Sequence, residues 1–96
     1  MNKIYAFKKC VSLREISIPG SINVIDKFVF GDCSSLRKIY IPSSIIKIDM
    51  YAFKGCGSLK NISIPSSVIS IRRYAFKNCK SLEEASISNG TSVDEQ

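Results

Sequence analysis

The sequence predicts an α/β solenoid: a short right-handed stack with a parallel strand ladder on its concave face and short helical or irregular convex segments. Three observations predict it. Cys10, Cys33, Cys56 and Cys79 stand 23 residues apart. The same step carries two aromatic columns, Tyr5, Phe28, Tyr51 and Tyr74, then Phe7, Phe30, Phe53 and Phe76. It also carries a Leu-x-x-Ile-x-Ile segment, followed by Pro19, Pro42 and Pro65. Phe28 to Met50 and Tyr51 to Arg73 agree at 11 of 23 positions, mainly apolar or turn residues, so the identity tracks packing rather than surface. A unit this small cannot bury its own apolar row, so neighbouring units must stack and share one core.

Within a unit, Leu36-Arg37-Lys38-Ile39-Tyr40-Ile41 ends in period-two alternation, the pattern of a strand with one buried face. Pro42 stops that strand, because proline fixes φ and offers no ladder donor, and the serines after it tolerate a turn. A second apolar patch, Ile45 to Ile48, follows. Asp26 and Asp49 then stand two residues before an aromatic-x-Phe segment and are expected to N-cap one or two helical turns that end near Gly55-Cys56-Gly57. Strands stacked in this way form a parallel ladder with neighbours about 4.8 Å apart.

The run Ala52-Phe53-x-x-Cys56-x-Ser58-Leu59-x-x-Ile62-x-Ile64-Pro65-Ser66-Ser67-Val68-x-x-Ile71 resembles the BspA-like leucine-rich repeat. The resemblance extends from Tyr5 to about Gly90. It implies a leucine-rich-repeat stack over residues 1–90, about four units with the first and last incomplete, and a polar tail at 91–96. It also implies recognition rather than catalysis, since members of the family are typically surface or secreted adhesion and interaction proteins, some of which bind host matrix proteins. In the last unit Ala85 replaces the strand isoleucine and Ser88 the proline, while Thr91 and Asp94 fall where apolar residues are expected. Asn2 likewise departs from the pattern at the start. An uncapped stack exposes an apolar row, so the chain is expected to be a fragment of a longer array or to self-associate through that end.

Composition excludes several classes. Histidine is absent, which removes the usual general base, the histidine-activated nucleophiles and every histidine-containing zinc site. Serines such as Ser43, Ser44, Ser66 and Ser67 lie in turns with nothing to activate them, so no enzyme, catalytic residue, cofactor or small-molecule substrate is predicted. The cysteines share one phase and form a ladder of parallel side chains. A disulfide needs Cβ atoms within about 3.5–4.5 Å, whereas splayed parallel neighbours point past one another. They are expected to be buried free thiols acting as small hydrophobes. With no CxxC pair, no metal site is predicted.

The chain lacks a stretch approaching about 18 apolar residues, so no membrane span is predicted. Met1 to Cys10 lacks an apolar run long enough for a signal-peptide core. That segment alone predicts a cytoplasmic protein, whereas the family resemblance predicts a secreted or surface one. Asn61-Ile62-Ser63 and Asn89-Gly90-Thr91 would accept glycans only after export.

Function is therefore sought on the exposed strand face. Its rows hold Arg14, Arg37, Lys60 and Glu83; Glu15, Lys38, Asn61 and Glu84; and Ser17, Tyr40, Ser63 and Ser86. The candidate ligand-binding residues are Arg14, Arg37, Lys38, Tyr40 and Lys60, a basic stripe suited to an acidic protein patch or a sulfated glycan, since arginine offers bidentate contacts to carboxylate or sulfate. The leading expectation is a non-enzymatic protein-interaction or adhesion module whose partner is a protein, with a host matrix or surface protein implied by the family. The net charge of +6 supports a nucleic-acid or polyanion binder as the alternative, against which stands the lack of an aromatic platform, helix-turn-helix or zinc-finger pattern. A structural spacer within a longer array is the remaining reading.

Overall fold

A computed structural model describes residues 10–86 and 92–93 of the chain. The described residues form eight strands in two alternating series. The three-residue strands β1 (Glu15–Ser17), β3 (Lys38–Tyr40), β5 (Asn61–Ser63) and β7 (Glu84–Ser86) come from the Ile-x-Ile segments. The two-residue strands β2 (Val24–Ile25), β4 (Lys47–Ile48), β6 (Ser70–Ile71) and β8 (Ser92–Val93) come from the second apolar patch. Every pairing is parallel, and the 23-residue step sets the register, as in Ile16 with Ile39, Ile62 with Ala85, and Ile48 with Ile71. The predicted ladder is therefore accompanied by a second one. The short strands form a continuous four-stranded sheet in the order β2-β4-β6-β8, whereas the longer strands form two separate pairs, β1-β3 and β5-β7.

Between the two ladders the chain turns as its sequence requires. Pro19, Pro42 and Pro65 each accept a hydrogen bond at their carbonyl from the amide three residues on, Ile22, Ile45 and Val68, at 3.1–3.2 Å. Ser44 and Ser67 then donate their hydroxyls to the carbonyls of Ile22 and Ile45 in the preceding unit, both at 2.7 Å. These turn serines are rivets between units, which is why hydroxyls recur there without any catalytic apparatus.

Of the two alternatives for the convex segment, the molecule adopts the irregular one, and the described residues contain no helix. Asp26 and Asp49 therefore begin turns rather than cap helices: their carbonyls accept from Val29 and Ala52, and the Asp49 carboxylate accepts from the Met50 amide at 2.8 Å. The reason is the backbone. Two columns in each unit hold positive φ, Phe28, Tyr51 and Tyr74 at 60°, 60° and 64°, then Asp32, Gly55 and Asn78 at 58°, 78° and 62°. A left-handed residue every few positions interrupts any helix. For the aromatic column this conformation costs about 1–2 kcal/mol per residue. It is offset by ring stacking, Phe28 on Tyr51 at 5.0 Å and Tyr51 on Tyr74 at 5.3 Å between centroids, worth about 0.5–1.5 kcal/mol per pair.

The core is the continuous column of Leu36, Leu59, Ile45, Val68, Ile48 and Ile71 between the ladders, closed on the convex side by Phe30, Phe53 and Phe76. Those three rings stack at 5.2 Å, with interplanar angles of 8° and 1°. Cys33 and Cys56 are completely buried and all four cysteines are free. They do more than fill space: Cys56 donates its thiol to the Phe30 carbonyl and Cys79 to the Phe53 carbonyl, both at 3.1 Å.

At the far end, Ile71 pairs with Val93, a step of 22 residues. The residue in ladder phase is thus Val93 rather than Asp94. The four-stranded sheet reaches into the segment 91–96, while Ser88, Asn89, Gly90, Thr91 and Asp94 themselves lie outside the described residues, as do Asn2 and the other residues before Cys10.

Candidate binding face

The face formed by β1, β3 and β5 has the alternation that the sequence implied: Ile39 and Ile62 point inward, while Lys38, Tyr40, Asn61 and Ser63 are exposed. Arg14, Arg37 and Lys60 are exposed in one column at the mouth of these strands. Neighbouring strands of the pair β1-β3 are tied there by the Arg37 amide, which donates to the Arg14 carbonyl at 2.8 Å, and the β5-β7 pair by the Glu83 amide, which donates to the Lys60 carbonyl at 2.9 Å.

The structure brings the five candidate residues together around Lys38. One hollow is lined by Arg14, Glu15, Arg37 and Lys38. A second is lined by Arg37, Lys38, Ser58, Lys60 and Asn61. A third, a groove of about 400 Å³, holds Lys38 and Tyr40 with Ile39, Ile41, Asn61, Ile62 and Ser63. Tyr40, half exposed, is the large aromatic side chain on this face. Asn61, Ser63 and the three isoleucines of the groove were not singled out from sequence, because each looks like an ordinary repeat position.

That third groove marks a seam. β3 and β5 are adjacent, yet no ladder joins them. The charge columns alone do not account for it, since Arg14 and Arg37 also share a column and β1 and β3 nevertheless pair. Between β1 and β3, Glu15 lies in register with Lys38; between the third and fourth units, Lys60 and Glu83 share a column. Across β3 and β5, Arg37 faces the column position of Lys60, with Lys38 beside them and Asn61 where a carboxylate would neutralise it.

Other groups have structural roles. Burial raises the Cys33 thiol above its ordinary 9.0. Cys56 is also raised, by its hydrogen bond with Cys79 and by burial, so it keeps its proton at neutral pH and is no nucleophile. No cluster among the described residues could hold a metal ion. No described helix is long and apolar enough to cross a membrane. Ile46 and Ile69 form an exposed apolar pair in one column of the other ladder's flank, each the outward member of an Ile-Ile or Val-Ile doublet. An apolar hollow of about 210 Å³, lined by Ile16, Ile18, Ile22, Val24, Ile25 and Phe30 among others, lies in the first unit.

Comparison with known proteins agrees with this architecture. The sequence profile of the BspA type leucine rich repeat region matches residues 3–96, in six copies. A leucine-rich repeat protein from Bacteroides ovatus superposes with a TM-score of 0.85 at 26% identity, over 91% of this chain and 22% of its own length. A leucine rich cell surface protein from Faecalibacterium prausnitzii superposes with a TM-score of 0.66 at 30% identity, over 97% of this chain and 32% of its own. The leucine rich repeat protein of T. pallidum, at 23% identity and a TM-score of 0.56, shares the fold over 94% of this chain and 64% of its own length. Among curated protein sequences no relative matches. The chain thus spans less than a third of the two more similar structures.

Proposed function

Because this chain belongs to the BspA-type leucine-rich repeat family, we infer that it is a non-enzymatic protein-interaction module of the adhesion kind. Its binding surface is the basic face of Arg14, Arg37, Lys38, Tyr40 and Lys60. The observation that carries this reading is the convergence of these side chains on three adjoining hollows that share Lys38. Rows of side chains from successive units are the surface that solenoids offer to partners. The surface location of the Faecalibacterium relative supports adhesion as the setting. Cationic side chains around an exposed tyrosine favour a partner with carboxylates beside an apolar or aromatic group.

The test is affinity capture from matrix extract and cell lysate, with the parent and an Arg14→Glu, Arg37→Glu, Lys60→Glu variant shown to be folded by circular dichroism. Specific proteins retained by the parent and lost by the variant are expected. Equal capture by both, or capture by neither, refutes the assignment of the face and leaves the chain as a spacer.

A further inference from the structure

We propose that the convex side carries a second binding surface, for a linear sulfated glycan, built from Lys54, Lys77 and Lys80 around the hydroxyl edges of Tyr51 and Tyr74. It is separate from the basic strand face and goes beyond the protein-interaction role assigned there.

The first observation is electrostatic. Two convex columns begin with carboxylates and lose them along the stack: Asp26 and Asp49 are followed by Arg72, and Asp32 by Gly55 and Asn78. The net charge of successive convex segments therefore climbs from −1 over residues 26–34 to 0 over 49–57 and +4 over 72–80. Asp94 and Glu95 of the tail offset only half of the last value. Lys77 and Lys80 are exposed and Lys54 half-exposed, and none of the three forms an ion pair among the described residues. A concentration of one sign of charge raises the local density of polyanions.

The second observation is geometric. The Phe53 amide donates to the Ala75 carbonyl at 2.7 Å, and the Gly55 amide to the Lys77 carbonyl at 2.8 Å. These bonds hold the two segments side by side, with Lys54 and Lys77 in one column. The Lys77 ammonium is held 4.9 Å from the centre of the Tyr74 ring. Tyr51 and Tyr74 stack at 5.3 Å and turn their faces to each other, which leaves their edges for a ligand. Neither hydroxyl has a partner among the described residues, and no described buried side-chain oxygen lacks one, so both hydroxyls reach solvent.

Together these features select the partner. A chain of sugars bearing sulfate esters can run along the column, set oxyanions against successive lysines and bond its ring hydroxyls to the tyrosine edges. A single-stranded nucleic acid draws affinity from bases stacked on open ring faces, and here the rings are stacked on each other. Protein partners need apolar anchors, and a bilayer surface is held through buried apolar area as well as charge. The exposed large apolar side chains, Val11, Tyr40, Ile46 and Ile69, all lie outside residues 26–34, 49–57 and 72–80.

The test is fluorescence polarisation with a fluorescein-labelled heparin octasaccharide, its desulfated counterpart, an oligoglutamate peptide and a single-stranded oligothymidylate, with amide chemical-shift changes to locate binding. The parent is expected to bind the sulfated sugar, with shifts concentrated at residues 51–54 and 74–80. Two charge-reversal variants, both checked for folding by circular dichroism, then separate this surface from net charge. Lys54→Glu, Lys77→Glu, Lys80→Glu and Arg14→Glu, Arg37→Glu, Lys60→Glu each turn three cations into three carboxylates and so lower the formal charge from +6 to 0. The first is expected to lose about tenfold or more, at roughly two- to fivefold for each exposed ion contact, and the second to stay within about twofold.

Equal losses in the two variants, shifts that fall outside these segments, or no binding of the sulfated sugar would overturn the proposal. So would equal affinity for the desulfated sugar, the oligoglutamate or the oligothymidylate. The strand-face reading is decided separately, by the capture experiment.

Discussion

Removal of the middle ring of the convex stack tests how the units hold one another. Phe53 is completely buried and has Phe30 on one face and Phe76 on the other, each at 5.2 Å and close to parallel. Phe53→Ala leaves a cavity for which substitutions of this type cost about 3–5 kcal/mol. Because both faces are stacked, and each stack contributes about 0.5–1.5 kcal/mol beyond area, the upper end of that range is expected, about 4–5 kcal/mol. A chain of 96 residues at about 0.05–0.15 kcal/mol per residue has some 5–14 kcal/mol to lose, so the variant sits near the edge of folding. Urea unfolding followed by circular dichroism measures the change, and the Phe30→Ala, Phe53→Ala double-mutant cycle isolates the coupling, expected at about 0.5–1.5 kcal/mol. A cost for Phe53→Ala below about 2 kcal/mol, or additivity in the cycle within about 0.3 kcal/mol, would refute the argument that the stack couples units.

Three further outcomes follow from the same geometry. Gly55→Ala should destabilise by about 1–2 kcal/mol, since Gly55 has a φ of 78° and an added Cβ would run into the Asp32 carboxylate; thermal melts check this against Gly57→Ala, where the space is open. Ile62→Ala should cost about 2–5 kcal/mol through a core cavity, whereas Tyr40→Ala on the same face should fall within about 0.5 kcal/mol; equal effects in urea titrations would contradict the assigned sides of the strand. Because burial raises the Cys33 thiol, and the hydrogen bond with Cys79 followed by burial raises that of Cys56, the folded state holds protons at these two positions that the unfolded state releases. Their contribution is complete below the unfolded pKa near 9.0 and declines as pH rises above it. The stability gap between parent and Cys56→Ala should therefore narrow from pH 7 to pH 10.5 in denaturant titrations.

The stack was legible in the sequence because its determinants repeat in one phase: Leu36 and Leu59, Ile39 and Ile62, and Pro42 and Pro65 do the same job in successive units. The second ladder was visible only as an apolar patch, since two-residue strands such as Lys47–Ile48 are too short to alternate. The helical alternative for the convex segment lost to the left-handed columns. Gly55 and Asn78 hinted at one of these. Phe28, Tyr51 and Tyr74 gave no such hint, because an aromatic in that conformation is an outlier that only stacking rescues. In the last unit the 23-residue phase misassigned Asp94, since with the turn proline gone nothing in the sequence marks the shortening that brings Val93 beside Ile71. The basic residues of the candidate face could be read from their columns. The seam could not, because it is a pairing that fails between two units that both fit the repeat.

The hydrogen bonds between units run in opposed columns. Amides of Phe30, Asp32, Phe53 and Gly55 donate forward to the next unit, while those of Ile46, Asp49, Ile69 and Arg72 donate back to the preceding one. Opposed columns cancel much of the axial dipole that a one-way series would build up. They also make each cross-section a keyed plate of sockets and pins with a fixed front and back. A repeat presented upside down would lose the parallel register that all of the described strand pairings use.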